Sequence, residues 1–346
     1  MEVINGVLFH AAGASSAAMC YTPQKKVKGW SWQTYWLAQA FICWLVLPVI
    51  VAFISIPHLM LVLKEVPAKP MLYSFLLGMA YGIGGTAFGI AIRYVGFSLT
   101  YAIAVGISCV LGTLLPPLLH DTLGVLLKNS GAAFIITGIA LGAVGIALCG
   151  LAGRHKEKDM EQEHTSKAGF SLAKGLPLCL LAGILSAFYG FSIDQGQPIA
   201  DVAAKYGAGN FQVNAVYIFS NSGAFLVTLL YCVYLHTKQN SFAQYADAGN
   251  HSLGINYSMA ALTGILWYGQ FFFYGLGHVR MGNYKFSSWA IHMIMLVLFS
   301  SFAGLMMKEW TACRPATKRW LAAALLVLVT AVLLLTYGNY IGNVLT

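Results

Sequence analysis

Long apolar segments recur along almost the whole chain, and short polar loops separate them. Each segment holds about 20 residues, the length at which an α-helix crosses a hydrocarbon core about 30 Å thick. The pattern predicts an all-α integral membrane protein with ten transmembrane helices, which we number as spans 1 to 10. The spans cover residues 5–22, 33–56, 71–92, 98–118, 132–152, 173–195, 211–236, 256–280, 287–307 and 319–340.

The composition belongs to the same class of protein. Hydrophobic residues make up 58% of the 346 residues and charged residues only 9%, whereas soluble domains carry about a quarter. The net charge of +9 comes mainly from Lys and Arg in short loops, where such residues orient a membrane protein, so we expect no nucleic-acid partner. The seven cysteines lack metal-ligand spacing, and we predict packing residues, no metal and no cofactor.

Basic residues are distributed unevenly among the predicted loops. The odd-numbered loops and their flanks hold 14 Lys and Arg residues, the even-numbered loops hold 6, and the tails hold none. By the positive-inside rule the odd loops are cytoplasmic, and both termini lie on the outer, periplasmic side. The charged linker at residues 153–172 then separates two five-span repeats, residues 1–152 and 173–346.

The two halves share short motifs in the same order. Residues 12–17 read AGASSA and residues 182–187 read AGILSA, while Tyr81-Gly82 and Tyr268-Gly269 each precede an arginine by the same interval. Because five spans is an odd number, the second half begins on the opposite side of the membrane. This predicts an inverted repeat, with chance similarity among Gly- and Ala-rich helices as the alternative.

Predicted span 8 contains 264-GILWYGQFFFYGLGHVR-280, a polar stretch for a membrane helix. At about 100° per residue, one arc of about 100° holds Trp267, Gln270, Phe271, Tyr274 and His278. The other side, where lipid or flat packing suits apolar residues, holds Phe272, Phe273 and Leu276. Polar groups in lipid must be satisfied inside the bundle, so this stripe predicts a cavity lining. Interhelical hydrogen bonds of about 0.6 kcal/mol are the alternative for any one side chain.

Four other spans also carry polar faces. They comprise His10, Gly13, Ala17, Tyr21 and Gln24 in span 1; Ser186, Tyr189, Gly190 and Gln197, with Asp194 toward the edge, in span 6; Asn214, Tyr217, Asn221 and Thr228 in span 7; and Lys285, Trp289 and His292 in span 9. Rings beside neutral amides and hydroxyls favour an uncharged, polyhydroxylated solute. A lipophilic cation held by a deep carboxylate is the alternative.

These faces predict two sets of functional residues. The substrate-binding set is Tyr21, Gln24, Tyr189, Gln197, Asn221, Trp267, Gln270, Tyr274 and Trp289. The proton-coupling set, chosen because its members can change charge or hold a charged partner, is His10, Asp194, His278, Lys285 and His292. A structural hydrogen bond is the alternative for any one histidine. The sequence has no Walker A motif, which excludes direct ATP drive by this chain.

Several long strings resemble one known family. FHAAGASSAAMCYTPQKKVKGWSWQTYW, WYGQFFFYGLGHVR and SSWAIHM followed by GLMMKEW are similar to the bacterial L-rhamnose–proton symporter family of the drug/metabolite transporter superfamily. The similarity extends from about residue 7 to residue 315. It implies a ten-helix, multi-pass protein of the bacterial inner membrane that imports L-rhamnose with a proton, with sugar and membrane lipid as its partners.

The chain departs from this family pattern at three charged or polar positions. Asp194 stands where the family has an amide, Gln197 where it has a lysine, and Lys285 where it has an acidic residue. We therefore hypothesise that Asp194 and Lys285 form an ion pair in one conformation, because an unpaired charge at that depth is costly. A structure that places their charged atoms more than about 10 Å apart, with neither residue lining the cavity, would contradict the pair.

Other functions remain open on the sequence alone. A drug or metabolite exporter of the same superfamily is the nearest alternative. An integral-membrane enzyme acting on a lipid-linked sugar is a further alternative, but the spans show no HExxH motif and no paired carboxylates. The chain is therefore predicted not to be an enzyme.

Overall fold

The computed structural model describes residues 2–95, 97–161, 171–308 and 310–344, and every regular element in these ranges is helical. The first half contains α1 (Glu2–Met19), α2 (Trp32–Ala40), α3 (Leu47–Ser55), α4 (Leu59–Glu65), α5 (Ala68–Val95), α6 (Phe97–Leu119), α7 (Leu123–Leu126) and α8 (Ala132–Glu161). The second half contains α9 (Leu172–Gln195), α10 (Gln197–Lys205), α11 (Asn214–Gln239), α12 (Leu253–His278), α13 (Ser288–Met306) and α14 (Pro315–Val344). Residues 162–170 of the predicted linker lie outside the described residues.

Nine helical segments of the described chain are long and apolar enough to cross a membrane, which makes this a multi-pass membrane protein. They are Glu2–Lys26, Trp32–Ser55, Ala68–Ala91, Thr100–Leu119, Ala132–Asp159, Ala173–Lys205, Gly209–Gln239, Tyr284–Met306 and Pro315–Asn343. The helix at predicted span 8, α12, is 26 residues long but is not among the nine. Its glycines, aromatic residues with polar tips and amides lower its hydropathy.

Two predicted helical faces are wrong in part, because α1 ends before Gln24 and α13 begins after Lys285. Regular helix α1 ends at Met19, and a turn then leads to a short 3₁₀ helix, Pro23–Lys26. A 3₁₀ helix winds at about three residues per turn, so the face from His10 does not continue to Gln24. Lys285 lies in a second 3₁₀ segment, Gly282–Ser287, whose Tyr284 is non-helical. Lys285 therefore precedes α13 and does not extend its face.

The chain forms two compact units. Unit A contains Met1–Ala18, Gly84–Phe191 and Leu276–Thr346, and unit B contains Met19–Ile83 and Ser192–Gly275. Their boundaries fall inside long helices, so each unit takes segments from both halves of the sequence. The division into repeats on either side of residues 153–172 stays a prediction.

In unit A, helix α8 packs along α14, and α6 packs against α8 and α13. A buried hydrogen-bond network fixes the turn before α13: the Asn339 Nδ2 donates to Ser287 Oγ at 2.9 Å, and Ser287 Oγ donates to the Tyr284 carbonyl at 2.8 Å. The Tyr284 hydroxyl in turn donates to the Ser130 carbonyl. These bonds hold the first turn of α13, from which Trp289 and His292 project.

In unit B, the continuous helical segment 32–55 packs on α11, and α10 packs on α4 and α11. Helices α5 and α11 approach closely because Gly78 has no side chain; a Cβ there would lie 1.9 Å from the Ser220 carbonyl oxygen. Ser74 and Ser192 exchange hydrogen bonds with each other's carbonyls at 3.1 and 3.0 Å, which joins α5 to the end of α9. These contacts hold the helices that carry the polar residues described next.

Candidate functional site

Unit B contains a group of aromatic side chains centred on Trp267 of α12. The Trp267 ring centroid lies 5.4 Å from Tyr21, 5.4 Å from Trp36 and 5.5 Å from Trp44, each edge to face. Tyr81 extends the group, 6.1 Å from Trp44 and 6.3 Å from Phe271. Edge-to-face pairs align the positive rim of one ring with the negative face of another, so they stabilise this arrangement. We call Tyr21, Trp36, Trp44, Tyr81, Trp267 and Phe271 the aromatic cluster.

The face of α12 matches the prediction in its middle turns. Trp267, Gln270, Phe271 and Tyr274 are all buried, and their spacing of three or four residues places them on one side of the helix. Phe272 and Phe273 are more exposed. Leu276, expected on the lipid side, is buried at 8% exposure.

The burial of Leu276 follows from the packing at the end of α12. The next residue, Gly277, lies so close to α1 that a Cβ there would be 2.8 Å from the Gly6 carbonyl oxygen. Two helices that meet at glycines bring their backbones together, so the side chains beside them lose exposure to lipid.

A π-helix shapes the other side of the aromatic cluster. Helix α2 continues directly into the π-helical segment Phe41–Val46 and then into α3. A π-turn contains more residues than an α-turn, so Trp44 is rotated back toward the helix face that carries Trp36. Both indoles consequently contact Trp267.

Sequence reasoning missed part of this cluster. Trp36, Trp44 and Tyr81, together with the fully buried Gln39 beside them in the chain, were not predicted to be functional. The signal was present as 36-WLAQAFICW-44, where an amide and two tryptophans interrupt an apolar run. The π-helix that aligns them has no comparable signature in the sequence.

Unit B contains further polar residues on α9, α11 and α12, among them Tyr274. Tyr274 is buried and interacts electrostatically with Asp194, which is partly buried near the end of α9. The Tyr217 hydroxyl of α11 donates a hydrogen bond of 2.6 Å to the Phe271 carbonyl, which joins α11 to α12. Asn221, one turn further along α11, is fully buried. Unit B thus contains the predicted site residues Tyr21, Asp194, Asn221, Trp267, Gln270 and Tyr274 in buried or partly buried positions.

Three histidines come together in unit A, and we call them the histidine group. The rings of His10 and His292 lie 6.0 Å apart at an interplanar angle of 70°, and both side chains are buried. His10 also interacts electrostatically with His278, and His278 with Lys285. A Cβ on Gly277 would lie 2.9 Å from His10 Nε2, so this glycine leaves room for the imidazole.

Other charged groups lie at the ends of the helices that carry the histidine group. Arg280, two residues after His278, forms an ion pair of 3.6 Å with Glu2 and lies 4.7 Å from the Phe9 ring. Its guanidinium also donates to the Leu276 carbonyl. Arg280 thus joins the start of α1 to the end of α12.

Tyr189 and Trp289 form a tightly packed pair within unit A. Their ring centroids lie 6.1 Å apart, and Trp289 Nε1 donates to the Ser108 carbonyl at 2.9 Å. Cβ atoms on Gly112 and Gly190 would lie 2.5 and 3.1 Å from the indole, so glycines make room for it. These contacts hold three helices together, and a sugar contact for either side chain stays a prediction.

The remaining predicted site residues lie in less enclosed positions. Gln24 is partly buried in the 3₁₀ helix after α1. Gln197 begins α10, and its Nε2 donates to Asp201 at 2.7 Å on an exposed surface. Asp194 belongs to unit B and Lys285 to unit A, so their ion pair stays a prediction.

Comparison with known proteins places these residues in context. The family described as L-rhamnose-proton symport protein (RhaT) matches residues 1–344. The L-rhamnose-proton symporter of Cronobacter sakazakii is 36% identical over 309 residues, which cover 88% of this chain and 89% of that protein. The protein of the same name from Yersinia pestis is 33% identical over 333 residues, covering 95% and 96%.

The packing of Trp289 predicts that it stabilises the fold. We expect Trp289→Phe to lower the free energy of unfolding by about 1 kcal/mol, because the Ser108 carbonyl loses its indole donor. Thermal unfolding of the detergent-solubilised protein measures this loss. Trp320→Phe, at a 43% exposed position of α14, is the control and should leave the melting temperature unchanged. An unchanged melting temperature in Trp289→Phe would contradict the assignment.

Proposed function

Because the chain belongs to the L-rhamnose-proton symporter family, we propose that it imports L-rhamnose, or a closely related deoxy sugar, together with a proton across the bacterial inner membrane. The observation that carries the proposal is the match over residues 1–344. The chemistry of unit B supports it, because a neutral sugar needs rings and uncharged polar groups. The named relatives are transporters and not enzymes.

The proposed sugar site lies in unit B around Trp267, Gln270 and Tyr274. The indole of Trp267 offers an apolar surface for the C–H faces of the sugar and its methyl group. The amide of Gln270 and the hydroxyl of Tyr274 offer donors and acceptors for sugar hydroxyls. Tyr21 and Asn221 complete the proposed contact set in this unit. The wider set of proposed contacts also includes Gln24 and Gln197, which are less enclosed, and Tyr189 and Trp289, which belong to unit A.

The proposed proton site is the histidine group of unit A. Histidine is the side chain whose unperturbed pKa, about 6.5, lies closest to physiological pH, so changes in its surroundings can switch its charge during a transport cycle. Charging one member adds repulsion from any charge on the other two and from Lys285, which faces His278. Protonation would thereby favour a different conformation of the transporter. Asp194, which interacts electrostatically with the buried Tyr274, is the alternative carrier.

We propose that ten spans form a 5+5 inverted repeat of the drug/metabolite transporter type, with both termini outside. The nine apolar segments and the 26-residue α12 support this number. The unit boundaries support the repeat, because two of them fall at similar places in the two halves. The boundary between residues 18 and 19 follows the first AG-x-x-SA motif, and the boundary between residues 191 and 192 follows the second. The linker at residues 153–172 would then lie in the cytoplasm.

Reporter fusions test this topology. A phosphatase that folds only in the periplasm should be active when fused after Thr346 and inactive when fused after Asp159, because the two points lie on opposite sides. Activity measured in intact cells at equal expression gives the result. The reverse pattern would show that the orientation is wrong, and equal activity at both points would contradict an odd number of crossings between them.

Transport itself is tested in proteoliposomes. With the outside acidic by two pH units, one proton per sugar permits roughly hundredfold accumulation of labelled L-rhamnose, since each unit supplies about 1.4 kcal/mol. We expect accumulation with the gradient, and only equilibration when a protonophore is added. Uptake that ignores the gradient would remove the symport assignment. Gradient-driven efflux of an amphipathic dye would favour the exporter instead.

The role of the histidine group is tested by measuring proton-driven sugar accumulation and sugar exchange separately. We expect His292→Gln to abolish accumulation driven by the pH gradient while retaining exchange of labelled for unlabelled sugar, because the amide keeps polarity but cannot titrate. His155→Gln is the control, since His155 is exposed and stacks 6.4 Å from Trp320. Full gradient-driven accumulation by both His292→Gln and His10→Gln would show that these residues do not carry the proton.

A further inference from the structure

Gln39, in the last turn of α2, has an unusual environment within unit B. Its side chain is fully buried, and neither its Oε1 nor its Nε2 has a hydrogen-bond partner among the residues that the structure describes. Buried amides almost always have partners, because an unmatched amide gives up its hydrogen bonds to water without replacement. The conformation described here therefore leaves a complete amide available to a ligand.

A second glutamine on the same helix provides the comparison. Gln33 is also buried, but its Nε2 donates to Gln239 Oε1 at 2.8 Å and to Ser241 Oγ at 2.9 Å. These bonds tie the start of α2 to the end of α11. Helix α2 thus carries one structural amide with protein partners and, two turns later, one amide without them.

Gln39 lies within the segment that forms one side of the aromatic cluster. Trp36 precedes it by three residues and Trp44 follows it by five, and both indoles contact Trp267. Its backbone carbonyl lies against α12, since a Cβ on Gly264 would be 3.0 Å from that oxygen. Gln39 therefore lies where the helical segment 32–55 packs on α12, the same contact that brings the three tryptophan rings together.

Other polar atoms of the helical segment 32–55 and of α12 are also buried without a hydrogen bond. The indole N–H groups of Trp36 and Trp44 and the hydroxyl of Tyr268 are buried and have no hydrogen-bond partner within the described residues. Indole nitrogens can only donate, whereas the amide and the phenol can donate and accept. The free groups are thus rich in donors and suit a ligand with several oxygen acceptors.

This donor-rich composition discriminates between the two ligand classes that the sequence left open. The charged centre of a lipophilic cation offers no lone pair to indole N–H groups, and the positive ends of these dipoles repel it. A pyranose offers hydroxyl and ring oxygens that accept such bonds, and its hydroxyl hydrogens can bind the Gln39 oxygen. Its C–H surfaces suit the surrounding rings.

We propose that Gln39 is a substrate-binding residue that determines specificity, its side-chain amide bonding hydroxyl groups of a pyranose held against Trp36, Trp44 and Trp267. The assignment rests on the proposed sugar transport. The π-helix that begins two residues after Gln39 aligns the two flanking tryptophans, in keeping with the frequent occurrence of π-turns at functional sites.

The test compares Gln39→Leu with Gln33→Leu in the purified full-length protein. Two quantities are measured for each variant: the melting temperature without sugar, and L-rhamnose affinity from the rise in melting temperature on titration. Gln39→Leu should melt at or above the wild-type temperature, because an apolar side chain replaces an unbonded amide. Its affinity should fall by at least about a hundredfold, since a site built to bond hydroxyls discriminates strongly when the bonds are lost. Gln33→Leu should melt lower and keep wild-type affinity.

A second variant covers the case in which Gln39→Leu fails to insert. Gln39→Asn keeps a buried amide but withdraws it by one methylene, so it should fold and still bind L-rhamnose at least about tenfold more weakly. Wild-type affinity in either Gln39 variant would overturn the assignment and show that the amide is structural or bound to water. Failure of the unaltered protein to bind L-rhamnose would instead contradict the proposed function, and the role of Gln39 with it.

Discussion

The structure depends on one constraint: a polar group inside a hydrocarbon layer must find its partner within the protein. The helices satisfy their own backbones. Buried polar side chains on them follow the same rule where they bond each other, as Asn339 does with Ser287. Groups that stay unbonded in such a protein are therefore informative, because nothing in lipid compensates them. Gln39 and the indoles of Trp36 and Trp44 are such groups.

Glycine has a related role in both units. Where helices must approach closely enough to share hydrogen bonds or rings, a glycine removes the side chain that would separate them. Gly264 brings α12 onto α2 beside the aromatic cluster, and Gly277 leaves space for the imidazole of His10. Gly112 accommodates the indole of Trp289 in the same way. At these positions glycine serves to make room for large side chains and for close helix contacts.

Much of the architecture could be predicted from the sequence, and the errors have physical causes. Apolar length located the helices, because a bilayer sets a minimum span. Helical periodicity also identified the buried face of α12, including Trp267 and Tyr274. Local backbone events were missed: the end of α1 at Met19, the π-helix at Phe41–Val46 and the 3₁₀ turn that carries Lys285. A periodic apolar pattern predicts the face of a regular helix, but it does not encode where the winding of the helix changes.

The sites themselves were predictable only where residues share a helix. Trp267 and Tyr274 lie on one face of α12, so their common surface followed from spacing alone. The approach of His10 to His292 joins residues 282 positions apart in the sequence and required the fold. A single amide in an apolar run, such as Gln39, is commonly interhelical glue, so the sequence alone does not assign it to a ligand. Only the absence of a partner within the described structure distinguishes it from Gln33.

The proposed sugar ligands and the proposed proton carriers are different residues, and this limits how sugar transport can be coupled to proton transport. L-Rhamnose is uncharged, so its binding changes no charge in the aromatic cluster, and the proposed sugar ligands Trp267, Gln270 and Tyr274 are neutral groups. A proton gradient can therefore do work on the sugar only if proton binding and sugar binding favour the same conformational state. Linkage of this kind is reciprocal: bound sugar must raise the affinity for the proton by the same factor by which the proton raises the affinity for sugar. On the proposed function, then, a variant that breaks this link should leave sugar recognition intact, because recognition and titration reside on different side chains.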